Sequence, residues 1–214
     1  MRESTISRAE AKKIYDRLGT GLDRTARYEA RAREQALRLL SLEAGQRVLQ
    51  VGVGTGGEHS VINSAIAPAG VAAGVDLSRG MLVLTRQRVS TPLCEGDAGA
   101  LPFATGSFDR LFSAYLLDLL PGSELPGVLA EFRRVLKPDG RIALVSLTEG
   151  VTPASRVFVA MWSVAFRIRP QALGGCRPIR LAALTAHAGF AIEHRSVVVQ
   201  RNFPSEIVVA VARG

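Results

Sequence analysis

The residue pattern most able to do chemistry is a glycine-rich turn, VGVGTGG, at residues 51–57. It follows a short apolar run and precedes a helical pattern. Glycine at such a turn allows positive φ angles and lets the backbone come close to a ligand. Gly52, Gly54 and Gly56 form GxGxG, whereas Gly52, Gly54 and Gly57 form the GxGxxG of dinucleotide binders. The turn alone is therefore ambiguous, and a tight turn without a ligand stays open.

Two acidic residues follow at the ends of predicted strands. Asp76 ends the second strand, where a carboxylate can accept hydrogen bonds from both hydroxyls of a ribose and would disfavour a 2′-phosphate. The alternative is that Asp76 caps the helix that begins near Ser78. Asp97 follows Gly96 at the end of the third strand and could contact a base edge or serve as a turn residue.

The elements that must position these residues alternate along the chain. Strands are predicted in RVLQV, GVAAGVD, TPLCE, FDRLFSAYLL and RIALVSL, and helices over residues 58–67, in RGMLVLTRQRV and in ELPGVLAEFRRVLK, which would end before Pro138. Strands that alternate with helices of this length predict an open, mostly parallel sheet that is covered on both faces.

The two ends of the chain differ from this alternation. Residues 24–40 have apolar residues near helical spacing, with Glu29 and Arg33 four apart, so an amphipathic helix is predicted. After Thr148, SRVFVAMWSVAFRIR and RPIRLAALTAHAGF are predicted to be helical. The segments EHRSVVVQ and SEIVVAVA are predicted to be two strands that pair antiparallel across residues 201–205.

Composition bounds the class of protein. With 214 residues, 47% of them hydrophobic and 21% charged, the chain is expected to form one globular domain. Its longest apolar stretch, residues 157–166, is shorter than the roughly 20 residues of a membrane span. The first residues do not resemble a signal peptide, so a cytoplasmic location is expected. Two distant cysteines and three scattered histidines suggest neither a disulfide framework nor a zinc site.

The formal charge of +8 is carried mainly by arginine, since the only lysines are Lys12, Lys13 and Lys137. Such a charge could attract nucleic acid, an anionic membrane or an acidic substrate. The arginines, however, are spread along the chain, without a basic run or interleaved aromatic residues. A generic basic surface and no nucleic-acid partner are therefore expected.

Five segments in order carry a resemblance to a known family: VLQVGVGTG, GVDLSRGML, GDAGALPFATGSFD, YLLDLLP and EFRRVLKPDGRIALVS. Together they resemble a class I S-adenosylmethionine-dependent methyltransferase, in the branch that includes ubiquinone/menaquinone C-methyltransferases and bacterial phospholipid N-methyltransferases. The resemblance covers residues 45–147. A nicotinamide dehydrogenase would not be expected to carry the LPF…SFD and VLKPDG segments, so the resemblance resolves the ambiguity of the glycine turn.

The resemblance implies a Rossmann-like, doubly wound α/β fold with seven strands, an antiparallel C-terminal strand and helices on both faces. Residues 1–44 would form a helical lid or extension, and residues 45–214 the methyltransferase domain, with an acceptor-side insertion at about 149–189. The implied cofactor is S-adenosylmethionine, which becomes S-adenosylhomocysteine.

The resemblance also implies cofactor contacts, position by position. The glycines would pass under the methionine part, Asp76 would hold the ribose, and the following residues would pack near the adenine or the sulfonium. The glycines are Gly52, Gly54 and Gly56. Leu77 and Met81 would pack near the adenine, and Asp97 and Ala98 would contact its amino group. Ala114 and Tyr115 would lie beside the sulfonium.

Gln50 departs from the family pattern, which usually has Asp or Glu before the first glycine. That carboxylate helps to hold the cationic methionine end of the cofactor. The amide of Gln50 can form a hydrogen bond but carries no charge, so binding is expected to be weaker by about 1 kcal/mol. This departure leaves open an alternative function, a non-catalytic relative that binds a ligand or a partner protein.

Methyl transfer from a sulfonium is an in-line displacement, so the protein mainly aligns the acceptor and excludes water. A base would help with a phenol or an activated ring carbon. Asp118 is the candidate base by its position in YLLDLLP, and a solvated loop aspartate is the alternative. Tyr15 resembles a lid tyrosine whose ring would face the sulfonium, although it could equally be a core residue.

The segment after the fifth strand is where this family usually places acceptor specificity. Phe158, Met161, Trp162 and Phe166 lie there on one apolar helix. The hypothesis is that these apolar side chains, Phe158 and Trp162 in particular, line a pocket for an apolar or amphipathic small molecule, quinone-like, phenolic or lipid. The alternative is a helix that only packs on the sheet. Cys176 is interpreted as a small buried residue rather than a reactive thiol.

Two further partners stay open at this point. The basic N-terminal helices and the Arg-flanked apolar helix could make a peripheral contact with an anionic membrane. The N-terminal forty residues could close over the site or serve the interface of a homodimer.

Overall fold

A computed structural model describes residues 6–21 and 28–213 of the chain. Seven α-helices and seven strands are described, together with three short 3₁₀ turns. The helices are α1 (Arg8–Leu18), α2 (Ala30–Leu40), α3 (Gly57–Ile66), α4 (Arg79–Arg88), α5 (Leu125–Val135), α6 (Pro153–Ile168) and α7 (Leu181–His187). The strands are β1 (Arg47–Val51), β2 (Val71–Asp76), β3 (Leu93–Glu95), β4 (Phe108–Ala114), β5 (Leu136–Leu147), β6 (Phe190–Gln200) and β7 (Phe203–Ala212).

The strands form one seven-stranded sheet in the order β3-β2-β1-β4-β5-β7-β6. The neighbours from β3 to β5 are parallel, and β7 is antiparallel to both β5 and β6. The strand order reverses between β1 and β4, which creates a crevice at the carboxyl ends of these strands. The predicted doubly wound, mostly parallel α/β fold is confirmed.

Apolar side chains fill both faces of the sheet, as expected for parallel strands. One core includes Leu49, Leu111 and Phe132, and α5 and α7 cover it. The other includes Ile62 and Phe112, and α2 and α3 cover it. Since adjacent residues of a strand point to opposite faces, every strand except the short β3 contributes to both cores.

The C-terminal hairpin confirms the predicted antiparallel pair. Its two-residue turn uses Arg201 and Asn202, with φ angles of 52° and 66°. Positive φ at both positions is the geometry that matches the twist of the flanking strands. On its other edge β7 pairs with β5, where Ser146 lies opposite Glu206.

One predicted boundary is wrong. The sequence pattern extends the fifth helix to Lys137 and begins the next strand at Arg141, but α5 ends at Val135 and β5 begins at Leu136. Leu136 already pairs with Phe108, and the register shifts before Arg110 pairs with Arg141. Sheet pairing therefore outweighs the local helical pattern.

The N-terminal region is described in two pieces. Ser7 caps α1 with a capping box that includes Glu10. The helix predicted over residues 24–40 is found as α2 from Ala30, while residues 24–27, including Ala26, lie outside the described residues. The domain boundary at residue 44 stays a proposal. Within 6–21 and 28–213, no helix has the length and apolar character to cross a membrane.

Candidate cofactor and acceptor site

A cavity of about 560 Å³ lies at the carboxyl ends of β1, β2 and β4. The strand ends contribute Val51, Val75 and Ala114 to its wall. Helix α1 covers one side, and α6 contributes Trp162 at another. This is the location at which open α/β sheets bind their ligands.

The glycine turn supplies a backbone wall. Gly52 and Gly54 line the cavity, with φ angles of 77° and 55° that favour glycine. Gly56 does not line it. A Cβ at Gly56 would lie 2.8–2.9 Å from atoms of Thr85, so this glycine permits close packing of the turn against α4. The expectation that Gly56 runs under the cofactor is therefore corrected.

Asp76 faces the cavity and also fixes the turn. One carboxylate oxygen accepts a hydrogen bond from the backbone N–H of Gly54 at 2.9 Å, and the other accepts from Ser78 at 2.8 Å. Burial raises the pKa of Asp76 to about 6, although these two bonds lower it. The N-cap of α4 is Ser78, whose hydroxyl accepts from the N–H of Met81, so the capping alternative for Asp76 is wrong.

Leu77, Met81, Asp97 and Ala98 continue the wall beside Asp76. Asp97 has two roles at once. One of its oxygens accepts from the N–H of Gly99 at 2.8 Å, as a turn residue does, and the other forms an ion pair with Arg8 at 2.6 Å. The residues that the resemblance assigns to ribose and adenine are thus together at one end of the cavity.

Gln50 is not in the cavity wall, which corrects the expectation for this position. Its side chain is buried on the other face of β1, opposite to Val51. The ring of the buried His59 lies between Gln50 and Thr91. Nδ1 of His59 donates to the Gln50 amide oxygen at 3.2 Å, and Nε2 accepts from the Thr91 hydroxyl at 2.9 Å. Burial lowers the pKa of His59 to about 4, so the ring is neutral at pH 7.

Polar contacts hold α1 across the cavity. Arg8 pairs with both Asp97 and Glu124, and Lys12 pairs with Glu95. Asp16 accepts from the Ser78 hydroxyl at 2.5 Å and from the N–H of Gly80 at 3.0 Å. Helix α1 itself buries no side chain completely. Ion pairs and hydrogen bonds are therefore a large part of the contacts that hold it in place.

Two buried charged residues in the cavity wall were not predicted as site residues. Glu29 and Arg33 form an ion pair at 2.6 Å, and Arg33 also reaches Glu58 at 3.1 Å. Burial raises the pKa of Glu29; Arg33 offsets part of that effect. The sequence predicted them only as an i,i+4 pair on an amphipathic helix, because nothing in that spacing indicates which face of α2 is covered.

Tyr115 lies at the centre of the cavity. The guanidinium of Arg33 lies 4.9 Å from its ring centroid, and its hydroxyl is 2.7 Å from the Ser205 hydroxyl. Its φ of 54° is uncommon for a bulky residue and costs free energy. The contacts of Tyr115 with Arg33 and Ser205 offset this cost and hold the ring in the cavity wall. Tyr15, from α1, also lines the cavity, and burial raises its pKa well above the ordinary value.

Asp118 is fully buried and does not line the cavity, so the solvated-loop alternative is wrong. One of its oxygens accepts from the N–H of Leu147 at 2.9 Å and lies 3.5 Å from the thiol of Cys176. Its other oxygen has no hydrogen-bond partner among the described residues. Burial raises the pKa of Asp118 to about 7. Cys176 does line the cavity, and burial raises the pKa of its thiol.

The far end of the cavity is apolar and aromatic. Trp162 and Phe203 line it, with ring centroids 5.8 Å apart, and the indole N–H donates to the carbonyl of Cys176 at 2.8 Å. The expectation that Phe158, Met161 and Phe166 line the cavity is wrong: Met161 is exposed, and Phe166 is buried elsewhere. Phe158 packs 5.6 Å from Trp162 and 5.9 Å from Phe203, so it supports these two rings from behind.

The residues described by the structure contain no group of three or more His, Cys, Asp or Glu side chains able to hold a metal ion. The polar end offers backbone N–H groups as donors and carboxylates as acceptors instead. They fit the hydroxyl and amino groups of a nucleoside, and the buried Glu29–Arg33 pair fits the charges of an amino acid.

Comparison with known proteins agrees with this geometry. Residues 48–140 match the family model described as a methyltransferase domain. A demethylmenaquinone methyltransferase of Tropheryma whipplei is 32% identical over 166 residues, covering 71% of this chain and 66% of the relative. The chain thus spans just under two thirds of that relative's length.

Solved structures share the fold at low identity. A chain from a Haloferax volcanii complex of a methyltransferase with the Trm112 activator has a TM-score of 0.73 at 17% identity, covering 95% of this chain and 98% of that one. An Aquifex aeolicus SAM-dependent methyltransferase has a TM-score of 0.63 at 19% identity, covering 97% and 100%. Both support the fold alone. The family model over residues 48–140 and the 32% identical relative identify the chain as a member of the class I S-adenosylmethionine-dependent methyltransferases, a family whose cofactor is S-adenosylmethionine.

Proposed function

We propose that this chain transfers the methyl group of S-adenosylmethionine to an apolar or amphipathic small molecule, by in-line displacement. The observation that carries this proposal is a single cavity with two chemically different ends. Gly54, Asp76 and Asp97 lie at its polar end, and Trp162 and Phe203 at its apolar end. A reaction between a nucleoside cofactor and an apolar acceptor needs both ends in one enclosed space.

At the polar end, Asp76 would hold the ribose hydroxyls and Asp97 the adenine amino group. Leu77, Met81 and Ala98 would pack near the ring, as the resemblance implies. The ribose hydroxyls would donate to the ionised form of Asp76, so binding would lower its pKa from about 6. Arg8 would have to share Asp97 with the adenine or withdraw from it.

Glu29 and Arg33 are suited to the amino-acid end of the cofactor. A carboxylate and a guanidinium side by side are complementary to an α-ammonium and an α-carboxylate. Both are buried in the cavity wall, where such interactions are stronger than in water. They would supply the charge that the family usually places at position 50 and that Gln50 lacks.

When bound, S-adenosylmethionine supplies a methyl group on a sulfonium, which is already an activated leaving group. Ala114 and Tyr115 would lie beside this group at the strained end of β4. Tyr15 would close the space from α1 and exclude water. The residues described need only align the acceptor, because proximity and orientation can supply much of the rate.

Asp118 is better placed as a positioning residue than as a base that touches the acceptor. It is separated from the cavity by Cys176. With a pKa of about 7 it exists in both protonation states near neutral pH. Its role would be to orient the Cys176 thiol at the apolar end.

The acceptor class follows from the aromatic end. Trp162 and Phe203 form a wall that suits a ring or an acyl chain more than a charged or strongly hydrated molecule. The printed name of the Tropheryma whipplei relative, demethylmenaquinone methyltransferase, supports a quinone-like ring. A quinol or phenol is therefore the first acceptor to test, followed by a lipid amine.

The test is a transfer assay with radiolabelled S-adenosylmethionine and three acceptor sets: naphthoquinols, simple phenols and phosphatidylethanolamine. We expect label in the organic phase with the quinol or phenol. The Arg33→Gln variant should lose at least tenfold in cofactor affinity, whereas Arg38→Gln, at an exposed position on the same helix, should not. Cofactor binding without transfer to any set would contradict the acceptor class and favour the non-catalytic, ligand-binding alternative.

A further inference from the structure

The outer face of α6 carries a stripe of large apolar side chains in water. Val157, Met161, Val164 and Ile168 are 62%, 69%, 55% and 78% exposed. We call these four residues the α6 stripe. Exposed apolar residues are ordinary when scattered, but contiguous ones mark a surface that contacts another apolar phase.

The spacing of the α6 stripe makes it continuous. At 100° per residue the four positions fall within an arc of about 60°, and they span about 16 Å along the axis. The opposite side of α6 is apolar too, because Phe158, Trp162 and Phe166 pack there towards the protein. A surface helix of a globular protein normally has a polar outer face, and α6 does not.

The charged residues of α6 and of the segment that follows it in sequence have one sign. Arg156 and Arg167 lie on the same flank of the helix, Arg169 follows at its end, and all three are exposed. No Asp or Glu occurs between Glu149 and Glu193 in the sequence. Glu149 forms an ion pair with Arg180 rather than with the α6 arginines.

We propose that α6 docks this protein on an anionic lipid surface, with the α6 stripe inserted among the acyl chains and Arg156 and Arg167 at the headgroup phosphates. An apolar face flanked by arginines is the chemistry that an interfacial helix uses. A second copy of the chain fits less well. Contact between two such faces would place arginines against arginines, without a carboxylate to neutralise them.

Docking through α6 would bring the cavity close to the lipid. Trp162 lies on the inner side of the same helix and lines the cavity, so only about one helix diameter, roughly 10 Å, separates the α6 stripe from the acceptor end. An amphipathic acceptor could then pass from the lipid to the cavity without crossing water. This consequence rests on the proposed function, whereas the docking itself does not.

The test is co-sedimentation of the full chain with vesicles of phosphatidylcholine alone or with 30% phosphatidylglycerol, at low and high salt. We expect binding to the anionic vesicles, weakened by salt. The double variant Val157→Glu/Met161→Glu should lose at least tenfold in binding. The matched control is Val61→Glu/Val83→Glu, at exposed positions of α3 and α4, and should bind like the parent.

Arginine variants separate charge from apolar insertion. Arg156→Glu/Arg167→Glu should lose binding to anionic vesicles, while Arg38→Glu, on exposed α2 surface, should keep it. Circular dichroism and S-adenosylmethionine binding in solution establish that each variant is folded. A loss of vesicle binding in a folded variant therefore reports on docking and not on the proposed function. Equal losses in stripe and control variants, or a dimer in sedimentation velocity that Val157→Glu/Met161→Glu dissolves, would overturn the proposal.

Discussion

At the scale of single residues, Asp118 has the clearest energetic consequence. A carboxyl group with a pKa of about 7 when folded binds a proton over a pH range in which the unfolded chain, with an ordinary pKa near 4, does not. Between about pH 4 and pH 7 the folded state therefore binds more protons than the unfolded state. Its stability falls as the pH rises from about 4 to about 7.

Asp118→Asn should remove this loss of stability at rising pH. Asparagine keeps the shape and can still accept from the N–H of Leu147, but it never ionises. Relative to the parent, the variant should gain about 2 kcal/mol in unfolding free energy on going from pH 5 to pH 8. Urea unfolding at the two pH values measures this difference, and an equal pH dependence in both proteins would contradict the burial of Asp118.

Gln50→Glu tests whether position 50 serves the cofactor or His59. A carboxylate 3.2 Å from Nδ1 would favour the charged imidazole, so the pKa of His59 should rise from about 4 by at least one unit. Proton NMR of the ring measures this shift. The affinity for S-adenosylmethionine should change less than threefold, because Gln50 does not line the cavity.

Gln87→Glu, at an exposed position on α4, is the control and should leave His59 unchanged. A tenfold gain in cofactor affinity for Gln50→Glu, with His59 unmoved, would show that residue 50 faces the cofactor after all.

Residue types and spacing were enough to find Gly52, Gly54, Asp76 and Asp97, because motifs at strand ends converge on one edge of a parallel sheet. They were not enough for Gln50, Glu29 and Arg33. Which face of a strand or helix is turned towards the cavity depends on what packs against it. That information is tertiary, so the buried ion pair of α2 had the same local signature as an exposed one.

At the scale of elements, α1 is held by charged contacts near the surface. Exposed ion pairs contribute only about 0–1 kcal/mol each, so the helix should open without unfolding the sheet. Arg8 contacts both Asp97 and Glu124, which makes it the residue with most influence on this opening.

Arg8→Gln should therefore release α1. Trypsin cleavage after Lys12 and Lys13 should accelerate by about threefold to tenfold, with less than 1 kcal/mol lost in global unfolding free energy. Arg38→Gln, which removes a longer ion pair to Glu34, should not change the rate. Equal cleavage rates for Arg8→Gln and the parent would mean that apolar contacts hold α1.

Helix α6 contributes through Trp162 to the acceptor end of the cavity. Trp162→Ala should raise the KM for a quinol or phenol at least tenfold and leave the cofactor affinity unchanged, because the ring packs with Phe203 and Cys176 and, within the described part of the chain, forms no hydrogen bond with Asp76 or Asp97. Trp162→Phe should recover most of the loss by restoring contact with Phe203. Steady-state kinetics with both substrates measure this, and loss of folding in Trp162→Ala would instead support a purely structural helix.

Strongly periodic elements were predictable, and their boundaries less so. The hairpin of β6 and β7 followed from two β-branched runs joined by a short link. The end of α5 did not, because Leu136 fits a helix locally but pairs with Phe108 in the sheet. The hydrogen bonds of a sheet come from a partner distant in sequence, which a local pattern cannot contain.

At the scale of the whole molecule, the alternation of strands and helices fixes the topology, and the topology fixes where a ligand binds. The reversal of strand order between β1 and β4 brings residues 51–57, 76 and 97 to one edge. The helices outside the motif region, α1 and α6, then close the cavity from two sides. We propose that substrate choice lies in these two helices, since the common motifs identify the cofactor but not the acceptor.

The central claim is that the polar end of the cavity binds S-adenosylmethionine. Calorimetric titration with S-adenosylmethionine, and with NAD as the control, tests it most directly. We predict micromolar binding of S-adenosylmethionine and none of NAD. Asp76→Asn should weaken that binding about tenfold to a hundredfold, as for loss of charge-assisted hydrogen bonds, and exposed Asp139→Asn should not. Absence of S-adenosylmethionine binding, or equal binding of NAD, would contradict the account.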